Sequence, residues 1–178
     1  GRVVTTRRAR PTAGRRRGGG EAESSSTDAR VVDHWCLVSS LRHDSSRLEW
    51  FELDGTSLGE VALPGIGSIP TLAGGWHDAR GLVTFASFTS PPTLFQCDAN
   101  ALTPFGDRGR DRPLPFTPAD YETELAWYPS KDGTQISMFL VRKKGLGTPH
   151  PFSGSVLLTG YGGFNISLTP SFDPSDFL

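Results

Sequence analysis

Short apolar runs separated by turn residues recur along this chain, and they constrain its fold more than any other feature. Between Val31 and Asp98 about six such runs follow one another at spacings of roughly 8–14 residues. No segment between them has the 3.6-residue periodicity of an amphipathic helix. This pattern is typical of repeated antiparallel sheets, either a sandwich or the blades of a β-propeller, so we predict a mostly β fold.

The turn residues give the expected extents of these strands. His43-Asp44, Asp54-Gly55 and Ser90-Pro91-Pro92 contain the residue types that favour tight turns and chain breaks. The predicted strands are Trp35–Leu41, Leu48–Phe51, Leu58–Leu63, Ser68–Ala73, Leu82–Phe88 and Thr93–Asp98.

The first thirty residues have a different composition. They contain eight Arg, three acidic residues and no Leu, Ile, Met, Phe, Tyr or Trp. Such a segment buries too little apolar surface to offset its ordering entropy, so residues 1–30 are predicted to be disordered. Four interpretations stay open: a transit peptide, an arm attracted to nucleic acid or membrane surfaces, a sequence artefact at the edge of a fragment, and a solvated tail without function.

A connector and a hairpin are predicted beyond the first strands. Residues 103–120 are rich in Pro, Gly, Asp and Arg, which favours a linker with a domain boundary near Pro115–Asp120. Glu122–Tyr128 and Gln135–Arg142 then read as two strands. They are joined by Ser130–Gly133, whose Asp-Gly step is a strong signal for a tight hairpin turn.

A glycine-rich turn follows the last apolar run of the chain. Ser155–Thr159 predicts a buried strand, and Gly160–Phe164 follows it directly. Glycines permit positive φ and let a ligand approach the backbone closely, although such turns are more often structural than functional. The phosphate-binding patterns GxxxxGK[ST] and GxGxxG are absent. In α/β-hydrolases the loop after the third strand supplies part of the oxyanion hole, and a phenol such as Tyr161 is a suitable donor.

Composition limits the remaining classes of site and partner. Cys36 and Cys97 are predicted to be buried free thiols rather than a bridge or a redox pair. The four histidines are scattered, so we expect no metal and no cofactor. The longest apolar runs have about four residues, too few to span a bilayer, so we expect no membrane partner.

Three motifs resemble one known family. YPSKDGT, MFLVRKKG and GYGGFNIS, all within residues 121–172, closely resemble the prolyl oligopeptidase family of serine peptidases. FASFTSPPTLFQCDAN looks like the last blade of that family's propeller, within a weaker resemblance over about residues 33–120. The resemblance implies a seven-bladed β-propeller joined to an α/β-hydrolase domain. It divides the chain into a partial propeller at 31–118 and the opening strands of the catalytic domain at 119–178, with the tail at 1–30 outside it.

The resemblance also implies two site residues. Tyr161 matches the tyrosine whose hydroxyl completes the family's oxyanion hole, and Phe164 matches the aromatic residue that lines the S1 pocket for the substrate proline. Without the resemblance, Tyr161 would be a turn residue and Phe164 a core residue. The family's catalytic Ser, Asp and His follow the tyrosine motif, so we expect none of them among these 178 residues. Ser153 and Ser155 have no glycine two positions before them.

The expected function follows from the same resemblance. Because the chain begins with Gly1 and ends at Leu178, we interpret it as a fragment of a cytoplasmic, monomeric endopeptidase that cleaves short peptides after proline. The isolated chain should be inactive. Nucleic acid is not an expected partner beyond nonspecific attraction to the Arg-rich tail. The alternative is a non-catalytic, β-rich binding or scaffolding module.

Overall fold

The structure, a computed structural model, describes residues 2–6, 9–14, 25–98, 101–106, 113–145, 155–161, 163–164 and 167–177. These residues form twelve strands in four antiparallel sheets, together with two single-turn 3-10 helices at Pro118–Asp120 and Pro174–Phe177. The strands are β1 Arg2–Thr6, β2 Ala9–Gly14, β3 Ser25–Val32, β4 Trp35–Arg42, β5 Ser45–Glu52, β6 Ser57–Val61, β7 Ser68–Ala73, β8 Gly81–Ala86, β9 Thr93–Cys97, β10 Leu102–Pro104, β11 Tyr121–Pro129 and β12 Gln135–Lys143. The predicted mostly β fold is confirmed.

The first blade is the four-stranded sheet of β3, β4, β5 and β6, in sequence order. In β5 the residues Ser46, Leu48 and Trp50 are buried and alternate with more exposed neighbours, as a strand with one core face requires. In β4 the whole run Cys36–Ser40 is buried. Since successive side chains point to opposite faces, both faces of this inner strand are covered.

The second blade repeats this meander with β7, β8, β9 and β10. Gly81, Val83 and Phe85 of β8 are buried and alternate with half-buried Leu82 and Thr84. A chain that leaves the last strand of one four-stranded sheet and starts the next sheet directly is the arrangement of consecutive propeller blades.

The main core lies between the two blades. Its fully or almost fully buried members come from both sheets: Val32, Leu37, Leu48, Trp50, Val61, Leu72, Val83 and Cys97. Trp50 also donates its indole N–H to the carbonyl oxygen of Asp98 at 3.0 Å. The backbone N–H of Asp33 reaches Gly75 O at 3.1 Å and that of Ser46 reaches Gly67 O at 2.9 Å, so hydrogen bonds cross the interface at both ends.

Gly67 shows how closely the second blade is packed at one end. A β-carbon at this position would lie 2.2 Å from the Phe85 ring and 2.4 Å from Ala86 O. Those separations are far below van der Waals contact, so only glycine fits where the inter-blade connection meets β8.

The two cysteines belong to this packing. Cys36 and Cys97 are both free and fully buried, which confirms the sequence prediction. Burial raises the pKa of the Cys36 thiol. Burial, with the Asp98 charge adding to it, raises the pKa of Cys97 to about 12. Neither thiol therefore has the thiolate character that a nucleophile or a redox centre needs.

The hairpin of β11 and β12 pairs nine residues of each strand. Gly133, at φ 87°, closes its turn as predicted for the Asp-Gly step. The guanidinium of Arg142 bonds Glu122 at 2.6 Å and Glu124 at 3.0 Å across the strands. These groups are largely exposed, so the ion pairs contribute little to stability.

Three contacts seat the hairpin on the blades. The His43 ring meets Trp127 edge-on at 5.0 Å, and Phe139 packs on Phe88 at 5.4 Å. The Ser137 hydroxyl donates to Asp44 Oδ2 at 3.2 Å. His43 and Asp44 form the β4–β5 turn at φ 49° and 60°, a conformation that matches the twist of a two-residue hairpin.

Several predictions about segments need correction. Residues 1–30 were expected to be disordered, but Ser25–Val32 pairs with β4 and Arg2–Thr6 pairs with Ala9–Gly14. Backbone pairing can order a segment that has few large apolar side chains. Leu102–Pro104 adds a strand that overlaps the first two residues of the predicted linker.

Apart from Ser155–Thr159, in the segment before the glycine turn, the other predicted strands agree with the structure. Ser68–Ala73 has the predicted bounds, and the remaining ones differ by a few residues at either end. The division into 31–118 and 119–178 stays a prediction, because the fold by itself does not assign residues to a catalytic domain. Among the described residues, no helix is long and apolar enough to cross a membrane.

Candidate active-site turn

The segment before the glycine turn is exposed rather than buried. Ser155–Gly160 has no assigned secondary structure, and Val156, Leu157 and Leu158 are 74%, 72% and 77% exposed. The predicted strand at Ser155–Thr159 is therefore wrong for this structure. An apolar run becomes a buried strand only where neighbouring strands pair with it, and no described residue does so.

Tyr161 and Phe164, the two predicted site residues, are also accessible. Tyr161 is 52% exposed and Phe164 is 91% exposed. A β-carbon at Gly163 would lie 3.1 Å from the Tyr161 hydroxyl oxygen, so the phenol folds back over this glycine. A side chain at position 163 would crowd the hydroxyl of Tyr161, so the packing explains why this position is a glycine.

Phe164 adopts a backbone conformation that is uncommon for a bulky residue. Its φ of 55° lies in the left-handed region, which costs a non-glycine residue roughly 1–2 kcal/mol. Strain of this kind often marks functional positions. Gly162 and Asn165 lie outside the described residues.

The segment after the turn is anchored to the rest of the molecule. Pro170 is fully buried, and its carbonyl accepts the Ser68 hydroxyl of β7 at 2.7 Å. Phe177 stacks on Phe116 at 3.9 Å and meets Tyr121 edge-on at 4.9 Å. The segment that precedes the turn is therefore exposed, whereas the segment that follows it is attached to the second blade and the hairpin.

Hydrogen bonds also order the end of the anchored segment. Asp173 Oδ1 accepts the Ser175 hydroxyl at 2.6 Å and the Ser175 backbone N–H at 2.9 Å. These bonds favour the carboxylate and lower the pKa of Asp173. The carboxylate caps the start of the terminal 3-10 helix.

The pattern G-x-S-x-G occurs once in the sequence, at Gly55–Gly59, although neither this pattern nor a catalytic serine was expected in the chain. A nucleophile elbow joins a strand to a helix at a sharp turn. Here the pattern joins two antiparallel strands: Gly55 closes the β5–β6 turn at φ 95°, and Ser57 begins β6. Ser57 therefore lacks the setting of a catalytic serine.

None of the three described histidines has a hydrogen bond or ring contact with Tyr161 or Phe164. His34 and His77 are exposed in turns at the end of the blades away from the hairpin. His43 is half-buried against Trp127. His150 lies outside the described residues. Within the described ranges, His, Cys, Asp and Glu form no cluster of three that could hold a metal.

Comparisons with known proteins agree with this architecture. The family model described as "Prolyl oligopeptidase, N-terminal beta-propeller domain" matches residues 1–103, which contain both blades and also the tail that showed no resemblance by inspection. A prolyl endopeptidase of Dictyostelium discoideum is 35% identical over 140 residues, 76% of this chain and 18% of the relative. One of Elizabethkingia miricola is 31% identical over 132 residues, 71% of this chain and 17% of the relative.

Solved structures give the same result. A structure from a structural and mechanistic study of two prolyl endopeptidases is 37% identical, with a TM-score of 0.72 over 89% of this chain and 22% of that one. Apo prolyl oligopeptidase B of Galerina marginata, at 23% identity, shares the fold with a TM-score of 0.65 over 88% of this chain and 22% of its own. The chain spans only 17–18% of the two curated relatives. Since the family model matches more than half of its residues, the chain belongs to the prolyl oligopeptidase family.

Proposed function

We propose that this chain is part of a longer serine endopeptidase that cleaves short peptides after proline. The observation that carries the proposal is the presence, in one chain, of two blades of the prolyl oligopeptidase type and an exposed phenol held in a glycine turn. The relatives named as prolyl endopeptidases support the peptide substrate. Cytoplasmic location and a monomeric state stay predictions.

In this proposal Tyr161 acts as one donor of the oxyanion hole. In acyl transfer a serine attacks the scissile carbonyl, a histidine accepts its proton and an aspartate orients the histidine. Negative charge then develops on the carbonyl oxygen. A phenol hydroxyl placed about 2.7–3.1 Å from that oxygen would stabilise the tetrahedral intermediate more than the ground state. The half-exposed side chain of Tyr161 supports this role, because a substrate could reach it.

Phe164 would form part of the S1 pocket. Its phenyl ring is almost fully exposed and so has an open face. Such a face suits the flat, apolar pyrrolidine ring of a substrate proline, and a proline would cover apolar surface that now meets water. The strained backbone at φ 55° would serve to aim the ring away from the turn.

The first experiment tests the chain itself. A fluorogenic peptide with proline before the scissile bond is incubated with the purified 178-residue chain and with a vector control. We expect no turnover, because the proposal places the nucleophile, the base and its orienting acid outside these residues. Proline-specific turnover by this chain would contradict the assignment of roles.

The second experiment tests Tyr161 in the longer protein that carries this chain. Tyr161→Phe should lower kcat roughly 100- to 1000-fold with little change in KM, because the lost bond forms only in the transition state. Tyr128→Phe is the matched control, since Tyr128 is similarly exposed but lies on the hairpin, and it should keep full activity. Equal activity of both variants would remove Tyr161 from the mechanism. A longer protein without peptidase activity would favour the non-catalytic binding module.

A further inference from the structure

A cavity of about 420 Å³ lies between the second blade and the start of the hairpin. Phe85 and Phe95 of the blade form one wall, with Ile66 of the inter-blade connection beside them. Pro118 and Thr123, at the 3-10 turn and in β11, form the opposite wall. The volume falls within the range of roughly 300–1000 Å³ that is typical of small-molecule sites.

The described lining combines apolar walls with residues that carry hydroxyl groups, and none of these described residues has a charged side chain. Hydroxyls come from Ser87, Thr89, Ser90, Thr93, Tyr121 and Thr123. An ion placed against these walls would lose part of its hydration without a counter-charge from the described lining, which favours an uncharged ligand. Each hydroxyl both donates and accepts, which matches the N–H and C=O of an amide.

Part of this hydroxyl set is already fixed by local hydrogen bonds. The Thr93 hydroxyl donates to Pro91 O at 3.0 Å, and the Ser87 and Thr89 hydroxyls lie 3.4 Å apart. These bonds hold the β8–β9 loop in place along one side of the cavity. The polar positions are thus preorganised, which reduces the entropic cost of binding.

We propose that this cavity binds a small, uncharged ring compound with amide groups, of the cyclic dipeptide class. The amides would bond the hydroxyls, and the ring would pack between Phe85, Phe95 and Pro118. The ligand would touch the blade and β11 together. It would therefore bind best when the hairpin is seated, and its binding would stabilise that arrangement by linkage.

The hairpin is held against the blades weakly enough that a bound ligand could stabilise its position. Besides the packing of Phe177 on Tyr121 through the terminal segment, the hairpin is held by one edge-on ring contact at Trp127, one hydroxyl bond at Ser137 and one ring contact at Phe139. Trp127 remains 48% exposed in this contact. A few partly exposed contacts permit local opening, and a ligand that bridges both sides would suppress it.

The test is a titration of the isotope-labelled 178-residue chain with cyclo(Gly-Pro), followed by amide chemical shifts. We expect saturable shifts confined to residues 64–66, 85–95 and 118–123. The expected Kd is on the order of 1 mM, because so few ligand atoms make contact. The linear zwitterion Gly-Pro is the matched control, and its charged termini should weaken binding at least about tenfold. Hydrogen exchange in β11 should slow when cyclo(Gly-Pro) is bound.

Variants locate the site. Thr123→Trp should fill the cavity and abolish the shifts, whereas Thr103→Trp, at an exposed position in β10 outside the cavity, should preserve them. If Thr123→Trp fails to fold, Ser90→Phe fills the cavity from the β8–β9 loop and gives the same readout. The proposal is overturned if cyclo(Gly-Pro) at about 50 mM, far above the expected Kd, causes no saturable shift. Equal binding of the linear dipeptide, or unchanged binding in the folded cavity-filling variant, would also overturn it. None of these outcomes depends on peptidase activity.

Discussion

The interface between the two blades and the segment before the glycine turn contain similar apolar residues in opposite environments. Leu37 and Leu48 are fully buried between paired strands, whereas Leu157 and Leu158 are more than 70% exposed. The blade leucines lie in strands whose partners are a few residues away along the chain. Local pairing supplies the hydrogen bonds that let those apolar side chains be buried.

The exposed run has no such local partner. A strand of continuous apolar residues is suited to the interior of a sheet covered on both faces, and its neighbours in such sheets come from distant parts of a sequence. The comparison shows that apolar content alone does not order a segment. It also places the candidate oxyanion donor next to a run of exposed apolar residues.

The largest expected difference is a leucine truncation in each region. Leu48→Ala should lower the free energy of unfolding by about 2–5 kcal/mol, because it removes buried methyl groups and leaves a cavity. Leu158→Ala should change it by less than about 0.5 kcal/mol, because that side chain is already in water. Urea unfolding followed by tryptophan fluorescence measures both. Equal effects would show that the apolar run is buried in solution.

Two glycine substitutions compare the same two regions, the tightly packed blades and the exposed glycine turn. Gly67→Ala should cost about 1–3 kcal/mol, because the new methyl group would overlap the Phe85 ring and Ala86 O. At Gly160 a β-carbon meets nothing within 4 Å, so Gly160→Ala should be nearly neutral. Thermal unfolding of the two variants beside the parent chain is the measurement. A neutral Gly67→Ala would mean that the blades are less tightly packed than the structure indicates.

Sequence patterns predicted the blades well for a physical reason. Alternation in Ser45–Glu52 and the turn residues at His43-Asp44 and Asp54-Gly55 are local signals, and antiparallel meanders use local pairing. The first strand of the first blade, β3 at Ser25–Val32, was missed because its first residues are small and polar. That strand is specified by its neighbour β4 rather than by its own composition.

The candidate site was less predictable. Tyr161 and Phe164 were found by resemblance, since a glycine turn alone is more often structural. The sequence did not predict that His43 and Asp44 contact the hairpin. The only local sign that this turn is unusual is the positive φ of both residues, which is seen in the structure. Contacts such as Ser137 with Asp44 join residues far apart in sequence, and no local pattern encodes them.

The buried thiol of Cys97, in the interface between the blades, should make the stability of the blades depend on pH. The folded pKa of Cys97 is about 12, above the ordinary value of 9.0, so the folded state holds this proton more tightly. Its contribution to stability is complete below pH 9 and is lost as pH rises toward 12, at no more than about 1.4 kcal/mol per pH unit. Alkaline urea titrations of the parent chain and Cys97→Ala measure it. A parent chain that loses no more stability than the variant over this range would contradict the assignment.

The smallest expected effect on stability is at the candidate oxyanion donor. Tyr161→Phe removes only a hydroxyl from a side chain that is half exposed, so the free energy of unfolding of this chain should change by less than about 0.5 kcal/mol. Native-state chymotrypsin should cut the parent after Leu157, Leu158 or Tyr161 while the blade thiols still resist a thiol reagent. If chymotrypsin cuts at these residues only when the blade thiols also react, the turn becomes accessible only when the blades unfold. A stable and accessible turn would instead leave catalysis as the reason for its phenol, because folding makes no use of the hydroxyl.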